Sequence, residues 1–168
     1  MMIIPSTHEF QRMMLLDFST KLPESTARMF KIYTDGSCPK NDGNHPGGWA
    51  AIINETIELS GGELITTNNR MEMQAAIAGL EYLTEASDVE VYSDSAYLVN
   101  CFLKGWYKKW VVNGWLNSQG NTVENKDLWE KLLVLTKKHK VTWIKVKGHS
   151  DNALNNRCDE LAGLAVPK

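Results

Sequence analysis

Four acidic side chains stand where a folded chain could use them for chemistry. They are Asp35, Glu72, Asp94 and Asp159. Asp35 ends an alternating, strand-like stretch that begins at Phe30, and Gly36 follows it at once. Asp94 ends a second alternating stretch. Because open α/β sheets tend to place their chemistry at the carboxyl ends of strands, the two aspartates are candidates for a functional site.

Each acid also has a purely structural explanation. Asp35 could belong to an Asp-Gly turn, and Asp94 could cap the helix that follows it. Glu72 stands three residues after Asn69, which is the spacing of a capping box. Asp159 could complement the dipole of a helix. For each acid taken singly, the structural explanation is preferred.

The four acids acquire a different meaning when they are considered together. Asp35 and Asp94 end strands that could be neighbours in one sheet. Glu72 and Asp159 are expected in the first turns of helices that begin near the same edge. Carboxylates that lie close together repel one another and raise each other's pKa. A bound cation would offset this repulsion. Oxygen ligands suit Mg²⁺, with Mn²⁺ as a substitute.

A pair of divalent ions about 4 Å apart assists the attack of water on a phosphodiester. The acidic pattern therefore predicts a metal-dependent phosphodiesterase. His149 is the candidate for proton transfer, because it follows Gly148 in a loop directly before the helix expected to carry Asp159. The alternative for His149 is an ordinary surface histidine.

Periodicity predicts the elements that must position these groups. Strands are expected over Phe30 to Asp35, Trp49 to Ile53, Ile57 to Ile65, Val89 to Asp94 and Val141 to Val146. Helices are expected over about Asn69 to Thr84, Ser95 to Leu103, Lys126 to Lys138 and Asn156 to Ala165. The segment from Cys38 to Gly48 is expected to be a loop. An antiparallel meander followed by strands joined through helices implies an α/β fold with a mixed sheet.

Length and composition limit the class of protein. The 168 residues suit one domain, expected over residues 29–168, with residues 1–28 as a loosely held extension. The formal net charge of −2 excludes nucleic-acid binding through overall basicity, so any such binding needs a local patch. Three cysteines without Cys-x-x-Cys spacing, no membrane-length apolar run and no secretory signal favour a cytoplasmic protein without membrane association.

Five motifs resemble, in order and spacing, those of type 1 ribonuclease H. They are Tyr33-Thr-Asp-Gly-Ser37, Thr67-Asn-Asn-Arg-Met-Glu72, Tyr92-Ser-Asp-Ser95, Val146-Lys-Gly-His149 and Arg157-Cys-Asp-Glu-Leu-Ala162. The resemblance implies a five-stranded mixed sheet flanked by helices. It also implies a monomer that cuts the RNA strand of RNA–DNA hybrids with two Mg²⁺ ions, leaving 5′-phosphate and 3′-hydroxyl ends.

The same resemblance implies roles for individual residues. Asp35, Glu72, Asp94 and Asp159 would bind the metal ions, with Asp35 shared by both, and His149 would assist proton transfer or product release. The minor-groove contacts, where 2′-hydroxyls distinguish RNA from DNA, would be Cys38, Asn41, Asn68 and Asn69. Thr67 and Asn125 resemble the pocket for a DNA-strand phosphate. Helix capping is the alternative role for Asn68 and Asn69.

Two departures from the family pattern concern substrate contacts. Ala96 stands where many relatives have a glutamine that contacts the hybrid, so this contact is absent. The loop from Cys38 to Gly48 is slightly longer than in the best-known bacterial members, which makes Asn44 an alternative to Asn41.

The segment from Lys104 to Asn117 resembles the basic protrusion with which the family grips the DNA strand. Its candidate contacts are Trp106, Lys108, Lys109 and Trp110, with Lys104 beside them. Tryptophans one helical turn apart are also typical packing residues. We expect both roles: the tryptophans form a rigid arm, and the lysines face phosphate.

Three other functions use similar acids. A strand-transferase of the same superfamily usually adds DNA-binding domains, for which this chain has no room. A non-catalytic hybrid-binding module is expected to have lost one of the acids, and all four are present. A metal-binding phospho-acceptor domain has no need of Glu72 and Asp159.

Overall fold

The computed structural model describes residues 29–148 and 152–168. The strands are β1 (Met29–Ser37), β2 (His45–Ile53), β3 (Ile57–Thr66), β4 (Asp88–Ser93) and β5 (Lys140–Lys145). The helices are α1 (Asn68–Tyr82), α2 (Ala96–Leu103), α3 (Trp106–Asn113), α4 (Lys126–Lys138) and α5 (Ala153–Ala165).

The five strands form one mixed sheet in the order β3-β2-β1-β4-β5. Strands β1, β2 and β3 pair antiparallel, whereas β4 pairs parallel with both β1 and β5. The sequence prediction of an α/β fold with a meander and parallel strands is therefore confirmed. β1 lies at the centre of the sheet. Elements packed on either face of the sheet can therefore reach the groups at the carboxyl end of β1.

Successive residues of β1 point to opposite faces and belong to different clusters. Ile32 is fully buried in the main core with residues of α1 and α4, among them Leu80 and Trp129. Tyr33 lies on the other face in a smaller cluster with Cys158 of α5. The sheet is thus fixed between α1 on one face and α5 on the other.

Two predicted boundaries are wrong for local reasons. β2 begins at His45 rather than Trp49, because His45 pairs with Thr66 and Gly47 with Glu63 across an irregular step in the ladder. α5 begins at Ala153 rather than near Asn156, because the Asn152 side chain caps the helix. The predicted loop from Cys38 to Gly48 therefore ends at residue 44.

β1 also continues beyond its predicted end. Asp35 pairs with Ala50 and Gly36 with Trp49, inside the ladder. The Asp-Gly turn offered as a structural explanation of Asp35 is therefore wrong. Of the helices in the described part of the chain, none is both long and apolar enough to cross a membrane.

Candidate active site

The parallel pairing of β1 and β4 places their two aspartates at the same edge of the sheet. Tyr33 is level with Tyr92 in the register, so Asp35 near the carboxyl end of β1 and Asp94 just beyond the end of β4, each two residues further on, lie side by side. The prediction that these strands are neighbours is confirmed. The side chain that caps α2 is Ser95, whose Oγ accepts from Leu98 N, so the capping explanation of Asp94 is wrong.

Gly36 allows α1 to approach this edge. A Cβ atom at residue 36 would lie 2.6 Å from Glu72 N and 2.8 Å from Met71 C. Real Cβ atoms do not come this close to backbone, so only glycine permits the contact. The approach places Glu72, which is 3% exposed, beside Asp35.

The structure brings three of the four acids together. Carboxylate oxygens of Asp35, Glu72 and Asp94 lie within 4.8 Å of one another. Asp35 also accepts a 2.9 Å hydrogen bond from Gly36 N. Three carboxylates at this separation are costly when all are ionised, because burial and mutual repulsion both disfavour the charged form.

The pKa values report this crowding. Burial and the neighbouring charge of Asp94 raise the pKa of Asp35 to about 7. Burial and the charges of Asp35 and Asp94 raise the pKa of Glu72 well above its ordinary value. Such values are typical of functional sites, although structural clusters also produce them.

The buried oxygen of Glu72 indicates what the cluster can hold. Within the described residues, Glu72 Oε2 is buried and has no hydrogen-bond partner. A divalent cation would bind this oxygen as a ligand and would offset the repulsion among the three carboxylates. The donor set consists of oxygens alone, which fits Mg²⁺ or Mn²⁺ better than zinc.

Asp159 lies at the same cleft but outside the close cluster. The cleft has a volume of about 390 Å³ and is lined by the four acids together with Asn68, Asn69, Ser95, Tyr97, Lys147, Gly148, Asn155 and Asn156 among others. The charge of Asp159 contributes to the raised pKa of Asp35, although less than burial and Asp94 do. Asp159 thus lines the same cleft and interacts electrostatically with Asp35.

Neither helix-borne acid occupies the predicted first turn. The Thr67 side chain caps α1, and Glu72 is the fifth residue of that helix. The Asn152 side chain caps α5, and Asp159 is its seventh residue. The capping-box and helix-dipole explanations are therefore wrong for these acids, because both side chains lie one turn inside their helices.

The predicted minor-groove residues lie along the start of α1. Asn41 Oδ1 accepts a 2.8 Å hydrogen bond from Asn68 N and so attaches the loop before β2 to the helix. Asn44, the alternative to Asn41, donates its backbone N–H to Asp42 Oδ1. Cys38 is partly buried, with its sulfur 3.7 Å from Thr66 O.

A second pocket lies next to this surface. It is lined by Asn41, Thr67, Asn69, Glu124 and Asn125. Both residues predicted to hold a DNA-strand phosphate therefore face one cavity.

The capping alternative for Asn68 and Asn69 is wrong, because Thr67 accepts from Arg70 N as the cap of α1.

The predicted arm is α3, which lies between Gly105 and Gly114, both with left-handed backbones. Trp110 packs against the main core, and its ring centroid lies 5.8 Å from that of Trp129. Trp106 is 36% exposed, and both Lys108 and Lys109 are exposed. The arm thus has an anchoring tryptophan, a surface tryptophan and exposed lysines.

His149 lies outside the described residues, although Lys147 and Gly148, which precede it in the sequence, line the cleft. Ala96 also lines the cleft and is exposed, in place of the glutamine expected of many relatives. Sequence reasoning missed Tyr97 and Arg70, since their hydrogen-bond partners are 28 or more residues away along the chain.

Comparison with known proteins agrees with this geometry. The family model for RNase H matches residues 27–166. The chain is 56% identical over 140 residues to a protein named Ribonuclease H from Chlorobium phaeovibrioides, covering 82% of this chain and 94% of that protein.

Solved structures with the same fold are also found. LC9-RNase H1, described as a type 1 RNase H with the type 2 active-site motif, superposes with a TM-score of 0.73 at 27% identity, over 87% of this chain and 74% of that one. LC11-RNase H1, solved in complex with RNA/DNA hybrid, superposes with a TM-score of 0.61 at 24% identity, over 82% of this chain and 96% of that one. The latter likeness shows a shared fold.

Gly36→Ala tests the contact that builds the cluster. Because the new Cβ would press on the α1 backbone, we expect the free energy of unfolding to fall by about 1–3 kcal/mol. We also expect Mn²⁺ binding, measured by calorimetry, to weaken as Glu72 moves away from Asp35.

Gly163→Ala is the matched control, because nothing lies within 4 Å of a Cβ at that helical position. We expect it to leave metal binding unchanged and stability equal or slightly higher. Equal behaviour of the two variants would show that close approach at Gly36 does not build the site.

Proposed function

The chain belongs to the ribonuclease H family, and we propose that it hydrolyses the RNA strand of RNA–DNA hybrids by two-metal-ion catalysis. The observation that supports this most strongly is the set of three carboxylates within 4.8 Å at the floor of an open cleft. An open cleft suits a duplex substrate, whereas a small molecule would favour an enclosed pocket.

Asp35, Glu72, Asp94 and Asp159 would hold two Mg²⁺ ions, with Asp35 shared between them. When bound, such ions lower the pKa of a water nucleophile and stabilise the charge on the attacking and leaving oxygens. Mn²⁺ would substitute, since it prefers the same oxygen ligands. The expected products have 5′-phosphate and 3′-hydroxyl ends.

The protein's own contribution is to hold the acids in a fixed arrangement. Asp35 stands on β1 and Asp94 directly follows β4, two paired strands at the centre of the sheet, and Glu72 is almost completely buried. Sites on rigid elements retain catalytic geometry better than sites on loops. His149, which follows the cleft-lining Gly148 in the sequence, would assist proton transfer or product release.

Substrate selection would depend on the surface beside the cleft. Cys38, Asn41, Asn68 and Asn69 are the proposed contacts with the minor groove, where 2′-hydroxyls mark the RNA strand. Thr67 and Asn125 would bind a phosphate of the DNA strand, and α3 would grip that strand further along. Only the strand whose sugars fit the minor-groove contacts would reach the acids.

We infer a monomeric, cytoplasmic enzyme. The cleft, the second pocket and the arm are each formed by residues of a single chain, which supports the proposal of a monomer. All three cysteines are free thiols, as expected in a reducing compartment.

A cleavage assay with RNA–DNA hybrid, duplex DNA, duplex RNA and single-stranded RNA tests the proposed activity. We expect Mg²⁺-dependent cutting confined to the RNA strand of the hybrid. Asp35→Asn should lower the rate by more than roughly a hundredfold, because loss of even an outer-shell partner of a metal ligand costs about 10–100-fold.

Asp88→Asn is the matched control, since Asp88 starts β4 whereas Asp94 follows its end. This variant should cut at the wild-type rate. Cutting of duplex DNA by the wild-type protein would favour a strand-transferase-type nuclease, binding without cutting would favour a hybrid-binding module, and full activity of Asp35→Asn would refute the metal mechanism.

Replacing Lys108 and Lys109 by alanine tests the arm. If both lysines contact phosphate, affinity for an uncleaved hybrid should fall, and the slope of log K against log salt should decrease in magnitude by up to about 1.8. The double variant Lys131→Ala/Lys137→Ala, on exposed positions of α4, controls for the loss of two charges. An unchanged salt slope for the arm variant would show that α3 does not grip the hybrid.

A further inference from the structure

The carboxamide of Asn125 is held at both ends by other side chains. Arg70 Nη1 donates to Asn125 Oδ1 at 3.2 Å, and Asn125 Nδ2 donates to the Tyr97 hydroxyl at 3.1 Å. Asn125 faces the second pocket with Thr67, and Tyr97 faces the acidic cleft. The hydrogen-bonded group therefore lies between the two binding surfaces.

The arginine determines which end of the carboxamide is the oxygen. A guanidinium can only donate, so the atom of Asn125 that meets Arg70 must be an acceptor. Arg70 is itself oriented by Asp127, with Nη2 to Oδ2 at 2.7 Å and Nη1 to Oδ1 at 3.0 Å. Such a two-bond fork is a geometrically specific form of ion pair.

A second donor fixes the other end. The indole of Trp129 is fully buried and donates from Nε1 to the Tyr97 hydroxyl at 3.2 Å. Because indole can only donate, the Tyr97 oxygen accepts from it and also accepts from Asn125. The direction of every hydrogen bond in this set is therefore determined by Arg70 and Trp129.

The backbone of Asn125 has a φ of 60°, in the left-handed region that asparagine adopts more readily than most residues other than glycine. Asn125 precedes the first residue of α4, yet its side chain bonds Arg70 and Tyr97 rather than the amides of that helix. The side chain of Asn125 is thus oriented by residues of α1 and α2.

Three of the side chains that line the pocket keep a hydrogen-bond donor available. One N–H of Asn125 Nδ2 remains after the bond to Tyr97. Thr67 Oγ1 accepts from Arg70 N, which leaves its own hydrogen to donate. Asn41 Oδ1 accepts from Asn68 N, which leaves its Nδ2 to donate. Asp127 offsets the charge of Arg70, and Glu124 adds a negative charge to the pocket. Binding of a phosphate in this pocket must therefore depend on oriented hydrogen bonds.

We propose that Arg70 and Tyr97 are positioning residues, which orient the Asn125 carboxamide so that one N–H points at a phosphate of the DNA strand. This inference rests on the proposed function, since it assumes that the pocket receives the DNA strand of a hybrid. Neither residue needs to touch the phosphate. The anion is selected by donors that are fixed before the substrate arrives.

The test measures cleavage of hybrids in which a single neutral methylphosphonate is moved along the DNA strand. In the wild-type protein, one position should raise KM about five- to tenfold with kcat unchanged. In Tyr97→Phe, the KM for the unmodified hybrid should rise about threefold, and the methylphosphonate at that position should raise KM less than twofold further.

Tyr82→Phe makes the same chemical change at the exposed end of α1 and should retain the full methylphosphonate effect. Should Tyr97→Phe not fold, Asp127→Asn serves instead, because the Asp127 side chain is 61% exposed while its fork to Arg70 would be lost. Arg70→Lys should restore less than half of the effect lost in Arg70→Met, since a lysine cannot form the fork.

The outcomes distinguish failure of the proposed hybrid cleavage from failure of the positioning role of Arg70 and Tyr97. A wild-type protein that cuts no hybrid refutes the proposed function. A wild-type protein that cuts hybrid but has no methylphosphonate-sensitive position refutes the phosphate role of Asn125 and with it the positioning role. A sensitive position whose effect persists in Tyr97→Phe and Asp127→Asn assigns these residues a purely structural role.

Discussion

The close approach of α1 to β1 at Gly36 is the contact on which the rest of the site depends. With no Cβ between them, the helix backbone lies against the strand, and Glu72 enters the space beside Asp35 and Asp94. Burial and repulsion then raise the pKa values of Asp35 and Glu72. The fold thus maintains an arrangement that is unfavourable when the three carboxylates are charged and alone.

That unfavourable arrangement explains why a cation belongs there. A polyanionic substrate could not approach three ionised acids in the absence of positive charge. Divalent ions would offset the repulsion, satisfy the buried oxygen of Glu72 and attract the phosphate of the scissile bond. The same positive charge would serve both the stability of the site and its chemistry, which is consistent with the single cleft that holds all four acids.

Much of the site was predictable from the sequence because it follows from local pattern. Parallel strands end at the same edge, so two strand-end aspartates had to meet once β1 and β4 were recognised as neighbours. The boundaries of α4 were also predicted correctly, since periodicity defines an amphipathic helix well. Asp159 was expected at this edge from the first turn of its helix, whereas the structure places it in the cleft lining from the seventh position of α5.

Other features depend on residues distant in sequence and gave no local signal. The extension of β1 through Gly36 depends on pairing with β2, which overrides the turn preference of Asp-Gly. The capping of α1 by Thr67 displaced the expected capping box, because Ser, Thr, Asn and Asp compete for one position. The fork between Arg70 and Asp127 joins residues 57 apart, and only the packing of α1 against α4 brings them together.

Thermal unfolding with and without Mg²⁺ tests the central claim, that crowded carboxylates at Gly36 form a cation site, most directly. The wild-type protein should gain roughly 3–6 °C in Tm at a Mg²⁺ concentration about tenfold above Kd. Glu72→Gln, which removes one charge, should be more stable than wild type without metal and should gain much less from Mg²⁺. A wild-type Tm that does not respond to Mg²⁺, or an equal gain in both proteins, would contradict the claim.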